Sequence, residues 1–298
     1  MAADSLDDAG LLSRPVRLAA ELCGQDEAAL AHLFREARVL IRLEEAFADV
    51  PDARETFLFT VNQVIRFCPN VALCVPAGAR DLIEAASDIA ARVHGHGHRV
   101  HLAGVREATG FQAVVHVGTK VLDDLPWVTV NSTGWVARVA TSGCGTELLP
   151  WVPGASNPIG ALAAACLGAG LAFLLLVGQP LVTPPVEISL FGHELGTPAT
   201  LSPGPELPVT QVELEGFLIG CGAVTNGWAY TVKRLPIVGR LEAVDRQALR
   251  IENVAPYVAA GREWLGKPKV EMIAALLGPA IAITPRHEEW ELFTIRLR

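Results

Sequence analysis

Apolar and polar positions follow two different patterns along the chain, and each pattern predicts regular structure. Between residues 27 and 47 the apolar side chains recur at steps of three and four, which is typical of an amphipathic helix. Residues 71–75 instead form a short continuous apolar run, as expected for a strand buried on both faces of a parallel sheet. The hydrophobic pattern therefore predicts a protein that combines helices with buried strands.

The order of these elements recurs in the two halves of the chain. Residues 71–102 give a strand, a turn at 76–78, a helix and a second strand, and residues 217–245 repeat this order around Gly220 and Gly222. Such repetition is typical of a Rossmann-like parallel sheet with flanking helices. We therefore predict an α/β fold with two related halves, the first degenerate because its turn lacks the two spaced glycines.

Other segments extend this pattern. Residues 131–135 are rich in turn-forming side chains, and they either form an ordinary loop or line a pocket. The segment at 186–191 is predicted as an edge strand, and a helix is predicted from Lys269 to Leu277. The remaining predicted strands lie at 111–117, 127–130, 280–284 and 292–297.

The longest apolar run, residues 159–177, has the length of a membrane span. Asn157 and Pro158 precede it as a helix cap and a first-turn proline, and its small Ala and Gly residues suit close packing. No excess of Lys or Arg flanks it, as would be expected for an oriented span. We therefore predict a buried helix and no association with a membrane.

A proline-rich stretch at 179–208 separates two apolar regions and predicts a linker. The linker divides the chain into an N-terminal helical segment at 1–55, a degenerate Rossmann-like domain at 56–178 and a partial nucleotide-binding domain at 209–298.

Composition narrows the class of protein. A formal charge of −8 disfavours non-specific binding to nucleic acid, and 51% hydrophobic residues are enough for a large core. The six cysteines lack C-x-x-C spacing and the N-terminus lacks a signal-peptide pattern, so we expect a reduced, cytoplasmic protein. The histidines between His94 and His101 alternate with glycine and lack the spacing of a metal site, so no metal ligands are assigned to them.

The pattern with the most chemical information begins at Gly220. Gly220 and Gly222 follow a short apolar strand, and the absence of Cβ atoms lets backbone N–H groups approach a phosphate at the start of the next helix, near Ala223. Asp245 ends an apolar stretch about two dozen residues later, at the spacing where a carboxylate meets a ribose hydroxyl. Thr225 stands at the third glycine of the dinucleotide motif. The segment therefore indicates a nucleotide site that departs from the dinucleotide pattern.

The residues after this turn resemble the ThiF/MoeB/HesA family of ubiquitin-activating-type adenylating enzymes. In that family a ribose-binding Asp precedes an Asn-Leu-x-Arg segment and a Gly-x-x-Lys segment, which Asp245, Asn253, Gly266 and Lys269 match, whereas Pro256 replaces the arginine. The resemblance implies that the chain binds ATP and Mg²⁺. It also implies adenylation of the C-terminus of a ubiquitin-like or sulfur-carrier protein of the β-grasp fold.

Cations are expected at such a site because the attacked triphosphate is highly charged. Lys269 is our candidate for the phosphate contact, Lys267 is its more exposed neighbour, and Asn253 is a candidate for holding a phosphate oxygen. Pro268 between the two lysines places both at the start of a helix. The alternative is that the two lysines only solvate this helix start.

Two other functions remain open from the sequence. In the family the magnesium-binding aspartate, the loop over the adenylate and the groove for the protein partner come later than the position of Arg298. A second subunit, a neighbouring gene product or a longer parent sequence is expected to supply them. The expected assembly is a homodimer or a complex with a second subunit. The later position of these family elements, together with Pro256, also favours a catalytically inactive scaffold. An NAD-dependent oxidoreductase is the third hypothesis. Neither Cys221 nor Cys166 is assigned as a thioester cysteine.

Overall fold

The computed structural model describes residues 2–96, 98, 100–104, 110–120, 126–142, 147–151, 156–179, 181, 185–197 and 199–289. The chain divides into two units that are named here by their sheets. The eight-strand unit comprises Pro15–Ala91 and Gly95–Glu206, and the three-strand unit comprises Met1–Arg14, Arg92–His94 and Leu207–Arg298.

Helices and strands alternate through the first two thirds of the chain. In chain order they are α1 (Ala2–Cys23), α2 (Glu27–Glu36), β1 (Arg38–Leu43), α3 (Pro51–Val64), β2 (Asn70–Cys74), α4 (Asp81–His94), β3 (His101–Leu102), β4 (Ala113–Val117), β5 (Trp127–Thr133), β6 (Val136–Thr141), α5 (Pro158–Leu176), β7 (Val186–Ser189) and β8 (Glu194–Gly196).

The eight strands form one sheet in the order β3-β2-β1-β4-β5-β6-β7-β8. The strands from β3 to β5 pair in parallel, and β6, β7 and β8 pair antiparallel. The strand order reverses at β1, because β2 lies on one side of it and β4 on the other. The carboxyl ends of β1 and β4 therefore form the kind of edge at which α/β proteins bind ligands.

Helix α5 packs against α3 and against β4, β5 and β6. Gly168 allows this close approach, since a Cβ atom there would lie 3.1 Å from side-chain atoms of both Val115 and Val130. Asn157 caps the helix by accepting the N–H of Ile159, and the prediction of a buried helix is confirmed. Of the described helices, α5 is the one whose length and composition would suffice to cross a membrane, and 56% of its most apolar window is buried.

The helix predicted over 27–47 is wrong beyond Glu36. Helix α2 ends there, and the next residues form β1, which pairs with β2 and β4. Val39, Leu40 and Ile41 are consecutive and all buried, because both faces of a central strand are covered. The first βαβ segment therefore begins at β1, one strand earlier than predicted, and the loop after it, 44–50, contains no glycine.

Two further predictions are corrected by strand pairing. Residues 131–133 continue β5 and pair with β6, so the cluster at 131–135 is mainly strand, with its turn at Gly134 and Trp135. Strand β7 is not an edge strand, since it pairs with both β6 and β8. The sheet thus includes β7 and β8, which both lie within the stretch 179–208 that was predicted as a linker. The limits given above for the domains remain a prediction.

The three-strand unit contains a parallel sheet in the order β11-β10-β9. The helix expected after Gly222 and the helix ending at Leu277 are confirmed, while the strand predicted at 292–297 lies outside the described residues. Both sheets begin with three parallel strands in the same order, and the predicted α/β class is confirmed. The elements of this part are β9 (Val212–Ile219), α6 (Ala223–Val232), β10 (Ile237–Val244), α7 (Ile251–Val254), α8 (Lys269–Leu277) and β11 (Ile281–Arg286).

Candidate functional site

The glycine corner, residues 220–222, joins β9 to α6. Gly220 has a φ of +78°, a conformation that favours glycine, and its N–H donates to the carbonyl of Val244 at 2.8 Å. Gly222 is the N-cap of α6, and no side chain caps the helix. The first backbone N–H groups of α6 therefore lack a side-chain acceptor and suit an anion.

Asp245 follows β10 directly, and its carboxylate fixes the backbone of the glycine corner. One carboxylate oxygen accepts the N–H of Cys221 at 2.7 Å, and the other accepts the N–H of Gln247 at 2.7 Å. Each oxygen of an ionised carboxylate can accept a second hydrogen bond. Asp245 thus positions the backbone while keeping the capacity to accept a ribose hydroxyl.

Lys269 is a buried cation without a carboxylate partner among the described residues. It is 4% exposed, its Nζ donates to Oε1 of Gln247 at 2.6 Å, and the same Nζ lies 5.3 Å from the centre of the Tyr257 ring. Lys269 is also the first residue of α8, where the helix dipole disfavours a positive charge. Buried charges in proteins are normally paired, so this ammonium group is suited to an anionic ligand.

Gly220, Gly222, Asp245 and Lys269 line one cavity of about 510 Å³. Ala223, the first residue of α6, is not among its described lining residues. Sequence reasoning missed several members of this lining. Four of them lie within two residues of Gly220 or Asp245 in sequence, whereas Tyr257, Glu288 and Glu289 had no local signal. These additional residues are Ile219, Val244, Arg246, Gln247, Tyr257, Glu288 and Glu289.

Asn253 and Lys267 lie outside this cavity lining. Oδ1 of Asn253 accepts the N–H of Arg250 at 3.1 Å, and Asn253 lines a second cavity of about 500 Å³. Lys267 is exposed, with its Nζ 5.1 Å from the centre of the Trp264 ring. The structure therefore brings together the glycines, the acid and one of the two lysines.

Cys221 is buried within the glycine corner. Burial raises the pKa of its thiol to about 12, with the negative charge of Asp245 acting in the same direction. A thiol with this pKa is protonated near neutral pH and is a poor nucleophile. Cys166, expected within a buried stretch of α5, is exposed.

The described part of the chain was also searched for groups of side chains that could bind a metal ion. No group of three or more His, Cys, Asp or Glu side chains there is arranged to hold a metal ion. Asp245, Glu288 and Glu289 line the same cavity without forming such a group.

The chain shows only distant similarity to known proteins. No protein-family model matches the chain. The curated uncharacterized protein y4jF of Sinorhizobium fredii (strain NBRC 101917 / NGR234) is 29% identical over 170 residues, which cover 54% of this chain and 31% of that protein. The chain therefore spans less than a third of the length of this relative.

Solved structures that resemble the chain include MccB and PaaA. E. coli MccB, alone and with ATP, shows 8% identity and a TM-score of 0.41 over 58% of this chain and 65% and 67% of the MccB chains. Microcin C7 biosynthetic enzyme MccB in complex with N-formylated MccA shows 9% identity and a TM-score of 0.42, over 62% of this chain and 70% of that one. PaaA shows 9% identity and a TM-score of 0.43, over 63% of this chain and 72% of the PaaA chain. All these TM-scores are below 0.5, so the likeness to these structures does not indicate a ligand for this chain.

Proposed function

We propose that the three-strand unit binds ATP in the cavity beside the glycine corner. In this proposal the backbone of Gly220, Gly222 and Ala223 faces phosphate oxygens, as the uncapped start of α6 allows. Asp245 accepts a hydrogen bond from a ribose hydroxyl, and Lys269 contacts a phosphate.

The observation that carries this proposal is the environment of Lys269. An ammonium group that is 4% exposed has only an amide oxygen and an aromatic ring as close described partners. Desolvation of an ion costs several kcal/mol unless an opposite charge compensates it. A phosphate group would supply that charge, and the N–H of Gly222 with the uncapped start of α6 would supply donors for its oxygens.

Carboxylate activation is the chemistry that we propose for this site. ATP supplies an electrophilic α-phosphorus and a pyrophosphate leaving group, so attack by a carboxylate yields an adenylate. Lys269 would stabilise the charge that moves toward the leaving group, and the start of α6 would hold the line of attack. Mg²⁺ is expected to accompany the nucleotide, with no described residue assigned to it.

The acceptor that we propose is the C-terminal carboxylate of a ubiquitin-like or sulfur-carrier protein of the β-grasp fold. This part rests on the resemblance of Asp245, Asn253, Gly266 and Lys269 to the activating family. The cytoplasmic location, the division into domains and assembly with a second subunit belong to the same proposal.

A catalytically inactive scaffold is the second candidate function. Asp245 uses both oxygens for backbone N–H groups and Lys269 donates to Gln247, so the corner is held together by its own hydrogen bonds. Pro256 also stands where the activating family has an arginine. Such a protein would keep the fold for binding without turnover.

ATP–pyrophosphate exchange with a β-grasp partner separates the two candidates. We expect exchange by the full chain that depends on the partner, loss of exchange in Lys269→Ala, and loss of nucleotide binding in Gly222→Val because the branched side chain projects toward the phosphates. A chain that binds ATP but never exchanges pyrophosphate would be the scaffold. Tighter binding of NAD than of ATP would instead favour an oxidoreductase.

A further inference from the structure

We propose that Tyr257 is a further binding residue of the candidate nucleotide site, whose ring holds the ammonium group of Lys269 and whose hydroxyl donates a hydrogen bond to a phosphate oxygen. The residue follows Pro256 in the segment between α7 and α8. The role of the hydroxyl rests on the proposed function, since it takes a phosphate to lie at the glycine corner. The contact between the ring and Lys269 needs no ligand.

The side chain of Tyr257 lies between two parts of the site. It is 5% exposed and lines the cavity of about 510 Å³. The Nζ of Lys269 lies 5.3 Å from the centre of the ring. The hydroxyl faces the glycine corner, because a Cβ atom added to Gly222 would have this oxygen as its nearest neighbour, at 3.8 Å. One side chain therefore contacts the amine and faces the corner.

The ring stabilises the ammonium group without neutralising it. A cation is attracted to the face of an aromatic ring, and the attraction is strongest where both groups are out of water. Lys269 is buried at the first residue of α8, where the helix dipole disfavours its charge. The Tyr257 ring and Oε1 of Gln247 offset part of this cost. The ammonium group is thus held at the cavity with its charge left for an anion.

The hydroxyl of Tyr257 is available to a ligand. The O–H of a buried tyrosine usually has a hydrogen-bond partner. That of Tyr257 has none among the residues that the structure describes. A phenol can donate to an oxygen atom, and a phosphate at the glycine corner would offer one beside the first N–H groups of α6.

The backbone around Tyr257 is fixed by hydrogen bonds to its own turn and to α6. The carbonyl of Tyr257 accepts the N–H of Ala260 at 2.9 Å. The N–H of Ala259 donates to Oδ1 of Asn226 at 2.7 Å, and Asn226 is fully buried on α6. The helix that begins at the glycine corner therefore also positions the segment that carries the tyrosine.

Fluorine NMR of the full chain labelled with fluorotyrosine tests the ring contact. The chain has only two tyrosines, Tyr230 and Tyr257, so Tyr230→Phe assigns both signals. Tyr230 is also the matched control, because its ring faces the cation of Arg234 at 3.8 Å and it lines neither cavity. We expect Lys269→Met to shift the Tyr257 signal in the absence of nucleotide, since a charge leaves the ring. ATP should shift the same signal in the wild type, and neither change should move the Tyr230 signal.

Calorimetric titration of unlabelled variants with ATP tests both contacts. We expect the affinity to fall about tenfold in Tyr257→Phe, because a hydrogen bond to a charged group is lost. In Tyr257→Leu it should fall about a hundredfold, because the cation–π contact is lost as well. When combined with Lys269→Met, the two Tyr257 variants should cost the same, since no cation remains for the ring. Tyr257→Phe keeps the ring and therefore tests the hydroxyl even if Tyr257→Leu does not fold.

The results separate this inference from the proposed function. A Tyr257 signal that Lys269→Met leaves in place overturns the ring contact, as do equal losses of ATP affinity in Tyr257→Phe and Tyr257→Leu. Unchanged ATP affinity in Tyr257→Phe overturns the contact of the hydroxyl with phosphate. Failure of the wild type to bind ATP overturns the proposed function, and the signal in ligand-free Lys269→Met then decides the ring contact by itself.

Discussion

Strands β1 and β9 are each the third strand in the order of their sheets. The residues that follow the two strands differ in the charge of their side chains and in the room that they leave for a ligand. After β1, the buried carboxylate of Glu44 accepts the N–H of Thr119 at 2.8 Å and lies 3.3 Å from Nε2 of His116. After β9, Gly220 and Gly222 leave an opening, with Asp245 and the buried cation of Lys269 on the same cavity.

Protonation states sharpen this contrast. Burial by itself would raise the pKa of Glu44, but hydrogen bonds from His116 and Thr119 and the nearby charge of Lys120 lower it to about 2. Burial lowers the pKa of His116, although its hydrogen bond to Glu44 opposes this shift. Since the ionised Glu44 only accepts, the proton of the neutral imidazole lies on Nε2, and Nδ1 is a buried acceptor with no partner among the residues that the structure describes.

Two sheets that share a strand order can therefore take different roles. In the eight-strand unit the carboxylate of Glu44 lies at the edge where a ligand would bind. Thr119 donates hydrogen bonds to it, and Lys120 forms an ion pair with it. In the three-strand unit the edge offers donors and a cation to a ligand from outside. We therefore expect nucleotide binding at the second edge and a structural role at the first.

We expect the greatest change from Glu44→Gln, which should lower the free energy of unfolding. A shift of the Glu44 pKa from 4.5 to about 2 corresponds to about 3 kcal/mol of folding free energy at pH 7. Because the folded-state pKa is the lower one, this contribution is complete above about pH 4.5 and disappears as the pH falls toward 2. Urea unfolding at several pH values should show this loss in the wild type and not in the variant.

Glu45→Gln is the control for this measurement, because Glu45 is adjacent and exposed. Its free energy of unfolding should change by less than about 0.5 kcal/mol. Equal behaviour of the two variants would contradict a structural anion at Glu44. ATP affinity should be unchanged in both.

Removal of the cation at the other edge should affect binding rather than stability. For Lys269→Met we expect the dissociation constant for ATP to rise about a hundredfold, since a buried charged contact is lost. The thermal midpoint should stay the same or rise, because an unpaired buried charge is replaced by an apolar chain of similar size. Lys267→Met, which changes an exposed lysine, should leave both quantities within error. A lower midpoint with unchanged ATP affinity would make Lys269 a structural residue.

Space at the two edges can be compared with one type of substitution. A Cβ atom at Gly118 would clash with the carboxylate of Glu44 and the ring of His116, so Gly118→Ala should cost about 2 kcal/mol of stability. At Gly222 the nearest atom to an added Cβ is the Tyr257 hydroxyl at 3.8 Å, so Gly222→Ala should cost less than about 0.5 kcal/mol. Denaturant unfolding of both variants checks the difference, and equal costs would argue against it.

The smallest expected effect concerns backbone conformation at the glycine corner. Gly220→Ala should cost about 1 kcal/mol because the φ of +78° disfavours a side chain, although space for it is open. Gly227→Ala, inside α6 and also with open space, should stabilise the protein by a similar amount, about 1 kcal/mol. Opposite signs in chemical unfolding would support this, and a neutral Gly220→Ala would contradict it.

Much of the fold followed from local patterns. The strands near 71–75, 111–117 and 127–130, the capped helix α5 and the glycine corner with its helix were all predicted, because apolar runs, caps and glycines act over a few residues. β1 was missed because consecutive buried residues in a central strand also satisfy a helical period. β6 and β8 were missed although each pairs with the strand directly before it, because the turn-forming residues at 131–135 and the prolines of 179–208 favoured loop and linker.

Local sequence patterns showed where the backbone could approach a phosphate, and they identified an acid and a lysine as candidates for the same site. The packing of the chain was needed to show that Lys269 is buried on the cavity of Gly220 while Lys267 is exposed, and that Asn253 lines the second cavity instead. Burial and charge pairing are properties of the packed chain, since they depend on residues far apart in sequence. The role of Glu44 likewise depends on packing, because its neighbour His116 lies on β4, far away in sequence. No local motif indicated that role.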